Sequence, residues 1–184
     1  MENTPTLILA SGSPRRRELL ATLGHHFAVM VPEIDETPLP DEAPRAFAER
    51  MAEEKAAAVD GDGIVVAADT IVVLEDKILG KPLDAADARE MLLSLSGLAH
   101  EVVTGVCVRS RNRTTVFSVG TEVVFRTLEE AEVDAYIATG EPLDKAGAYA
   151  IQGGAAHMVR AIKGSYTNVV GLPICELHEA LISF

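Results

Sequence analysis

The chain has 184 residues, 48% of them hydrophobic and 24% charged, and a formal net charge of −12. That length buries a core without metals or disulfides, as one domain or one domain folded into two lobes, and the composition excludes disorder. A surface so acidic repels a polyphosphate chain, which argues against DNA or RNA but leaves a single nucleotide open, because local cations and a divalent metal can offset the global field.

Met1 to Pro5 lacks the basic start of a secretory signal, and no segment approaches the ~20 apolar residues that span a bilayer. A soluble, cytoplasmic protein without membrane contact is expected. Leu7 to Ala10 reads as a short buried strand. Ser13 then suits an N-cap and Pro14 the first helical position of a helix that runs to Leu23 and stops at Gly24. Phe27 to Val31 is a second strand, followed by an acidic, proline-flanked loop from Pro32 to Pro44. Pro44 opens a helix to about Val59, with Phe47, Met51 and Ala58 on one face.

Gly61-Asp62-Gly63 is a turn; it lacks the length and the lysine of a P-loop. Ile64 to Leu74 is a nearly unbroken apolar run, as in a central strand, interrupted by Asp69-Thr70. Asp84 begins a helix through Leu95, and Glu101–Val108 with Thr114–Phe125 reads as a hairpin turning at Ser110 to Arg113. Thr127-Leu128-Glu129-Glu130 has the form of a capping box for a helix to Thr139, with Gly140 as its stop. A mixed segment, Tyr149 to Val170, precedes a last helix from Pro173 to about Ser183. The alternation of strands and helices with long crossovers predicts an α/β fold around a mixed, curved sheet, a single domain over residues 1–184.

Three segments carry chemistry. Leu9-Ala10-Ser11-Gly12-Ser13-Pro14-Arg15-Arg16 sets a strand end, two hydroxyls and a helix N-terminus within eight residues. Free N–H groups and the helix dipole favour an anion there, and arginines in the first turn suit a phosphate better than they suit the helix. The alternative is a capped helix with solvated arginines. In the second segment, Asp69 lies inside an apolar run, which is costly unless the carboxylate is paired, metal-bound or at a cleft. Ile78-Leu79-Gly80-Lys81-Pro82 follows with an ammonium on a rigid turn. An acid for metal or water and a cation for phosphate is the minimum of a phosphoanhydride hydrolase, although a structural Asp–Lys pair has the same signature. The third, Asp144-Lys145-Ala146-Gly147-Ala148-Tyr149-Ala150-Ile151-Gln152-Gly153, allows close backbone approach and offers an amide with donors and an acceptor. Taken alone it is a turn.

Cys107 and Cys175 sit in apolar runs and are expected to be buried, reduced thiols. His25 and His26 are expected in solvent, and His100, His157 and His178 lack ligand spacing, so all five histidines are assigned structural roles. No Gly-x-Ser-x-Gly elbow supports serine-hydrolase chemistry.

Together, in order and separation, the three segments resemble the signature regions of the Maf family of nucleotide pyrophosphatases, from about Leu7 to the last helix. The Asp-Lys-Ala-Gly-Ala-Tyr-x-Ile-Gln-Gly form resembles the branch acting on dTTP and UTP rather than the one acting on 7-methyl-GTP. The resemblance implies a Maf/Ham1-like α/β fold with flanking helices and two lobes around a central cleft, a divalent metal such as Mg²⁺ or Mn²⁺, and a homodimer. It implies Asp69 as catalytic proton acceptor and metal ligand, and Arg15, Thr70 and Gln152 as substrate-selecting residues. Ser11, Arg16, Lys55 and Lys81 match polar positions that bind substrate, and Asp35 and Glu36 match loop acids that help hold metal. Ala67 departs from the pattern, since many members have glycine there, and its methyl is expected to narrow the cleft.

The mechanism these residues imply is attack of a water, oriented by Asp69, on the α-phosphorus of a metal-bound triphosphate held by the Ser11–Arg16 turn and Lys81. Gln152 would read the O/N–H pair on the edge of thymine or uracil. Rival readings are a nucleotide-binding regulator linked to septum formation, and a purine-directed triphosphatase.

Overall fold

The computed structural model describes residues 7–184; the reading made of Met1 to Pro5 falls outside the described residues. In chain order the elements are β1 (Leu7–Ala10), α1 (Pro14–Ala21), β2 (Phe27–Val29), α2 (Pro44–Ala57), β3 (Ile64–Leu74), β4 (Lys77–Leu79) and α3 (Ala85–Leu95). They continue with β5 (Ala99–Arg109), β6 (Thr114–Phe125), α4 (Glu130–Ile137), three short 3-10 turns, β7 (Val159–Lys163), α5 (Tyr166–Val170) and α6 (Ile174–Ile182). The strands form a mixed sheet in the order β2-β1-β3-β5-β6-β7, with β4 paired to β3. β1 runs parallel to β2 and β3, while β4 and β7 pair antiparallel to β3 and β6. The α/β class with flanking helices is therefore as the sequence predicts.

The chain divides into two compact units. One holds the chain through Asp69, Thr104–Val119 and Gly171–Phe184; the other holds Thr70–Val103 and Gly120–Val170.

In the first unit, strand alternation sorts the core into two layers. Leu7 and Leu9 of β1, Val66 and Ala68 of β3, and Val106 and Val108 of β5 pack with Leu20 of α1 and Leu177 of α6. The intervening residues Ile8, Ala10, Val65, Ala67 and Cys107 pack instead with Ala52 and Ala56 of α2 and with Val59. Small residues set a close helix–strand spacing on that second face. A Cβ on Gly105 of β5 would lie 2.2 Å from the carbonyl oxygen of Ala48.

In the second unit, Arg89 of α3 donates to Asp134 at 2.8 Å and to Glu130 at 2.5 Å, tying α3 to α4. Asn168 of α5 is fully buried and donates to the Val102 carbonyl and to Thr121 Oγ1.

Several local expectations are corrected. α1 ends at Ala21 and β2 at Val29, short of Leu23 and Val31. Ala58 is exposed; the buried face of α2 is Phe47, Ala48, Met51, Ala52, Lys55 and Ala56. The capping box is shifted by two residues, with Glu129 as N-cap and Glu132 as its partner, and Glu132 also pairs with Arg126 at 2.5 Å. β4 lacks a sequence signal because its tight turn uses Glu75 and Asp76 at φ 47° and 67° in place of the usual Asn-Gly. Cys107 is buried, and burial pushes its thiol up to about 11, but Cys175 is exposed on α6.

The Gly105 contact generates a prediction. Gly105→Ala drives a methyl into the α2 backbone, which cannot step aside as a side-chain tip could. It should destabilise the protein by about 1–3 kcal/mol, the usual cost of overpacking, as a lower denaturant midpoint. An unchanged midpoint would mean that α2 is not seated against β5 at this point.

Candidate active site

Asp69 follows Val65 and Ala67 at spacing two on β3, so alternation turns its side chain to the face that α2 covers. There the Lys55 ammonium meets it, with Nζ 2.6 Å from Asp69 Oδ1 and 2.8 Å from Glu36 Oε1. The Lys55 and Asp69 side chains are only 10% and 12% exposed, whereas Glu36 reaches in from the loop at 50%. Lys55 lies in the last turn of α2, where the helix dipole also favours a cation. Asp69 is thus tolerated in an apolar strand because a neighbouring helix supplies its counter-charge.

The helix N-terminus is built on the same unit. Ser13 is the N-cap of α1, accepting from Arg16 N–H at 3.4 Å, and the first turn holds no acid. Ser11, buried, accepts from Ser13 N–H at 3.2 Å and from Arg16 Nη1 at 3.4 Å. Arg16 Nε donates to the Gly171 carbonyl at 2.8 Å. Burial holds the Arg16 guanidinium below its ordinary pKa; the Asp69 carboxylate opposes this, and Arg15 and Glu36 act more weakly in opposite senses. Arg15 is half-buried and makes no ion pair with any described residue.

The structure brings together Ser11, Arg16, Glu36, Lys55 and Asp69. Asp35 is not in that cluster. Its Oδ1 accepts from Thr37 N–H at 2.9 Å and Thr37 Oγ1 at 2.5 Å, and these two bonds hold the exposed carboxyl below the usual carboxylate range. Ala67 is fully buried against Ala52 and Ala56, so its methyl is absorbed by the core and the expected narrowing of a cleft is corrected.

Thr70, Lys81 and Gln152 belong to the second unit. Thr70 is half-buried, and Lys81 and Gln152 are exposed. The carbonyl of Gly80, one residue before Lys81, accepts from Gly147 N–H at 3.0 Å, so the lysine turn is tied to the Asp144–Gln152 segment. That segment bends through Gly147 at φ 65° and Ala148 at φ 60°. A side chain at Gly147 would meet Val72 at 2.8 Å, which fixes glycine there. Tyr149 then turns into the core, its hydroxyl 2.8 Å from His100 Nε2. The His100, Phe125 and Tyr149 rings meet edge to face, with centroids 4.8–5.5 Å apart. Sequence reading missed the Arg16–Gly171 link and the contacts of Tyr136 with Ala150 and of Glu141 with Gly154, on either side of Gln152. No motif marks them, because each acts through a contact distant in sequence or through the backbone.

The model of the family described as "Maf-like protein" matches residues 6–184. A dTTP/UTP pyrophosphatase of Geobacter sulfurreducens is 55% identical over 181 residues, covering 95% of this chain and 94% of that one. A protein of the same name from Vibrio cholerae is 50% identical over 182 residues, covering 97% of each. Among solved structures, the Staphylococcus aureus Ham1 protein aligns with a TM-score of 0.46 at 16% identity, over 65% of this chain and 71% of that chain. An α/β protein with a carboxylate–ammonium cluster and an arginine-bearing helix N-terminus is suited to an anionic substrate. The chain belongs to the Maf family.

His100 generates a pH prediction. Burial lowers its pKa to about 4, against about 6.5 when unfolded. Between those values the unfolded chain binds a proton that the folded chain does not. The stability tied to neutral His100 is therefore complete above about pH 6.5 and is lost as pH falls toward 4. Urea melts at pH 7 and pH 5 should show a drop for wild type that is smaller in His100→Gln, by up to about 2 kcal/mol. Equal drops would place this titration elsewhere.

Proposed function

We propose that this protein hydrolyses nucleoside triphosphates, dTTP and UTP foremost, to the monophosphate and pyrophosphate. The carrying observation is the buried Asp69 carboxylate held by Lys55 within electrostatic reach of Arg16. A protein that only bound a nucleotide would gain little from a carboxylate beside phosphates, whereas a hydrolase needs one to handle water. The names of the two pyrophosphatases, at 50–55% identity over nearly full length, support the same reaction and substrates.

In the proposed reaction Asp69 orients a water and takes its proton as the oxygen bonds to the α-phosphorus. The bond from that phosphorus to the bridging oxygen breaks, and pyrophosphate leaves with the electron pair. Arg15, without an ion pair among the described residues, is the cation open to the phosphates; Arg16 holds Ser11 and the Gly171 carbonyl in place. Roles for Lys81 and Thr70 in holding substrate, and for Gln152 in reading the base, are assigned from the family motif.

A divalent ion, Mg²⁺ or Mn²⁺, fits these residues in one form. Among the described residues no three His, Cys, Asp or Glu side chains group as a metal cage, but Asp69 and Glu36 converge on one cation, the Lys55 ammonium. Two carboxylates suit a metal that arrives on substrate phosphates. Asp69 and Glu36 would hold it, and when bound it would supply charge neutralisation at the triphosphate.

No helix of the described residues is long and apolar enough to cross a membrane. A cytoplasmic location fits the free thiols of Cys107 and Cys175. The homodimer is proposed by family analogy, and nucleic acid is not proposed as a partner, given the charge of −12.

Asp69→Asn preserves size and removes the proton acceptor. Pyrophosphate release should fall by roughly 10² or more, with an unchanged circular dichroism spectrum. Near-normal release from the folded variant would remove Asp69 from the mechanism.

Gln152 carries the second test. Thymine and uracil offer an oxygen beside an N–H, matched by one amide, while cytosine reverses that pattern. Wild type should prefer dTTP and UTP over CTP by roughly tenfold to a hundredfold, as for a bidentate pair, and Gln152→Ala should flatten the ratio by losing activity on dTTP and UTP. A wild type that favours GTP, or a variant with full selectivity, would assign base reading to other groups.

A further inference from the structure

Gln152 is exposed, and its backbone lies in a short turn between Tyr149 and the 3-10 turn Gly154–Met158. A side chain on such a turn discriminates between bases only if the turn is fixed, because a misplaced amide pairs with either pattern. Two side chains from outside the turn fix it. Tyr136, near the end of α4 and 5% exposed, accepts from Ala150 N–H through its hydroxyl at 3.1 Å. The edge of the same ring lies under Gly154, where a Cβ would come within 2.9 Å of Tyr136 Cε2. One ring therefore contacts the turn two residues before Gln152 and two residues after it.

Glu141 supplies the other hold. Its Oε2 accepts from Gly154 N–H at 2.8 Å, and its Oε1 fills the space beside Gly153, 2.1 Å from where a Cβ would stand. Gly153 has an extended backbone, φ 178°, that any residue adopts. A Cβ there would first meet not backbone but the Glu141 carboxylate, which as the tip of a flexible side chain would be displaced.

We propose that Tyr136 and Glu141 are positioning residues for base selectivity, clamping the backbone on both sides of Gln152. The proposal rests on Gln152 reading the base. Neither residue takes part in the hydrolysis, so loss of the clamp should alter discrimination between bases more than the chemistry of the phosphates. Glu141→Ala removes the acceptor and the filler; Glu141→Gln keeps an oxygen for Gly154 N–H. Gly153→Ala leaves Glu141 in place but pushes its carboxylate aside.

The test measures kcat and KM for dTTP and CTP in wild type, Gln152→Ala, Glu141→Ala, Glu141→Gln, Gly153→Ala and the Glu141→Ala/Gly153→Ala double variant, with a melting curve for each. Glu141→Ala should lower the dTTP-to-CTP ratio of kcat/KM by about threefold to tenfold, the reach of one lost hydrogen bond. The loss should fall mainly on the KM for dTTP. Glu141→Gln should recover most of the ratio. Gly153→Ala should resemble Glu141→Ala, and the double variant should be no worse than either alone, because the clash requires Glu141. If Gln152→Ala flattens the ratio while Glu141→Ala and Gly153→Ala keep it, the clamp is refuted and base reading by Gln152 stands. If Gln152→Ala itself keeps the ratio, base reading fails and the clamp with it. Equal loss on both nucleotides in Glu141→Ala, or additive effects in the double variant, would reduce Glu141 to a structural role and overturn the proposal.

Discussion

Lys55 sets one ammonium against two carboxylates, 2.6 Å from Asp69 and 2.8 Å from Glu36, with its own side chain nearly withdrawn from water. Each member constrains the others. A carboxylate in the middle of β3 would be costly without a counter-ion, and an ammonium on the buried face of α2 equally so. Removing Lys55 would strand the buried Asp69 carboxylate at a cost of about 3–5 kcal/mol, whereas removing the Asp69 charge leaves Lys55 its pair with Glu36. The pair therefore ties the register of α2 to β3. The alanines at 48, 52 and 56 and Gly105 allow the approach that brings Lys55 within reach. The pair that holds Asp69, the proposed proton acceptor, is also the one that seats the helix.

Two adjacent arginines divide the work at the N-terminus of α1. Arg16 is committed, with Nε on Gly171 and Nη1 on Ser11, so it links the start of α1 to the turn between α5 and the final helix. Its charge counts against desolvation, which pulls its pKa down, while Asp69 restores part of what burial removes. Arg15 carries no such ties among the described residues. Arg16 is thus a fixed cation, and Arg15 is the one proposed to meet the phosphates. Sequence alone cannot make that distinction, because both arginines stand in the same first turn.

The sequence was most legible where short-range rules decide the outcome. Ser13 and Pro14 place the start of α1, Asp84 caps α3, and the apolar run of β3 has no competing period. It was least legible where a distant residue decides. Asp69 asked for a partner, and the downstream Lys81 was the obvious candidate by spacing. Lys55, which the family resemblance marks only as a substrate-binding position, is the residue bonded to it. The capping box failed because Thr127-x-x-Glu130 and Glu129-x-x-Glu132 overlap, and Arg126 recruits Glu132 from outside the motif. Cys175 looked buried from its apolar neighbours, yet the turn of α6 carries it to solvent.

How a chain of net charge −12 would handle the proposed triphosphate is a question of range. Screening at physiological salt confines exposed charges to about 8 Å, so most of the acidic surface contributes little at a given point. What matters is the local set. In the first unit Arg15, Arg16 and Lys55 outnumber Asp69 and Glu36, and the N–H groups of α1 add positive potential without a carboxylate in the first turn to cancel it. A metal carried on the phosphates would shift that balance further, and Lys55 already marks where two carboxylates accept a cation. The global charge then weakens long-range attraction for long polyanions, which span many screening lengths. It costs a compact triphosphate far less, because such a ligand sits within the reach of the few cations that face it.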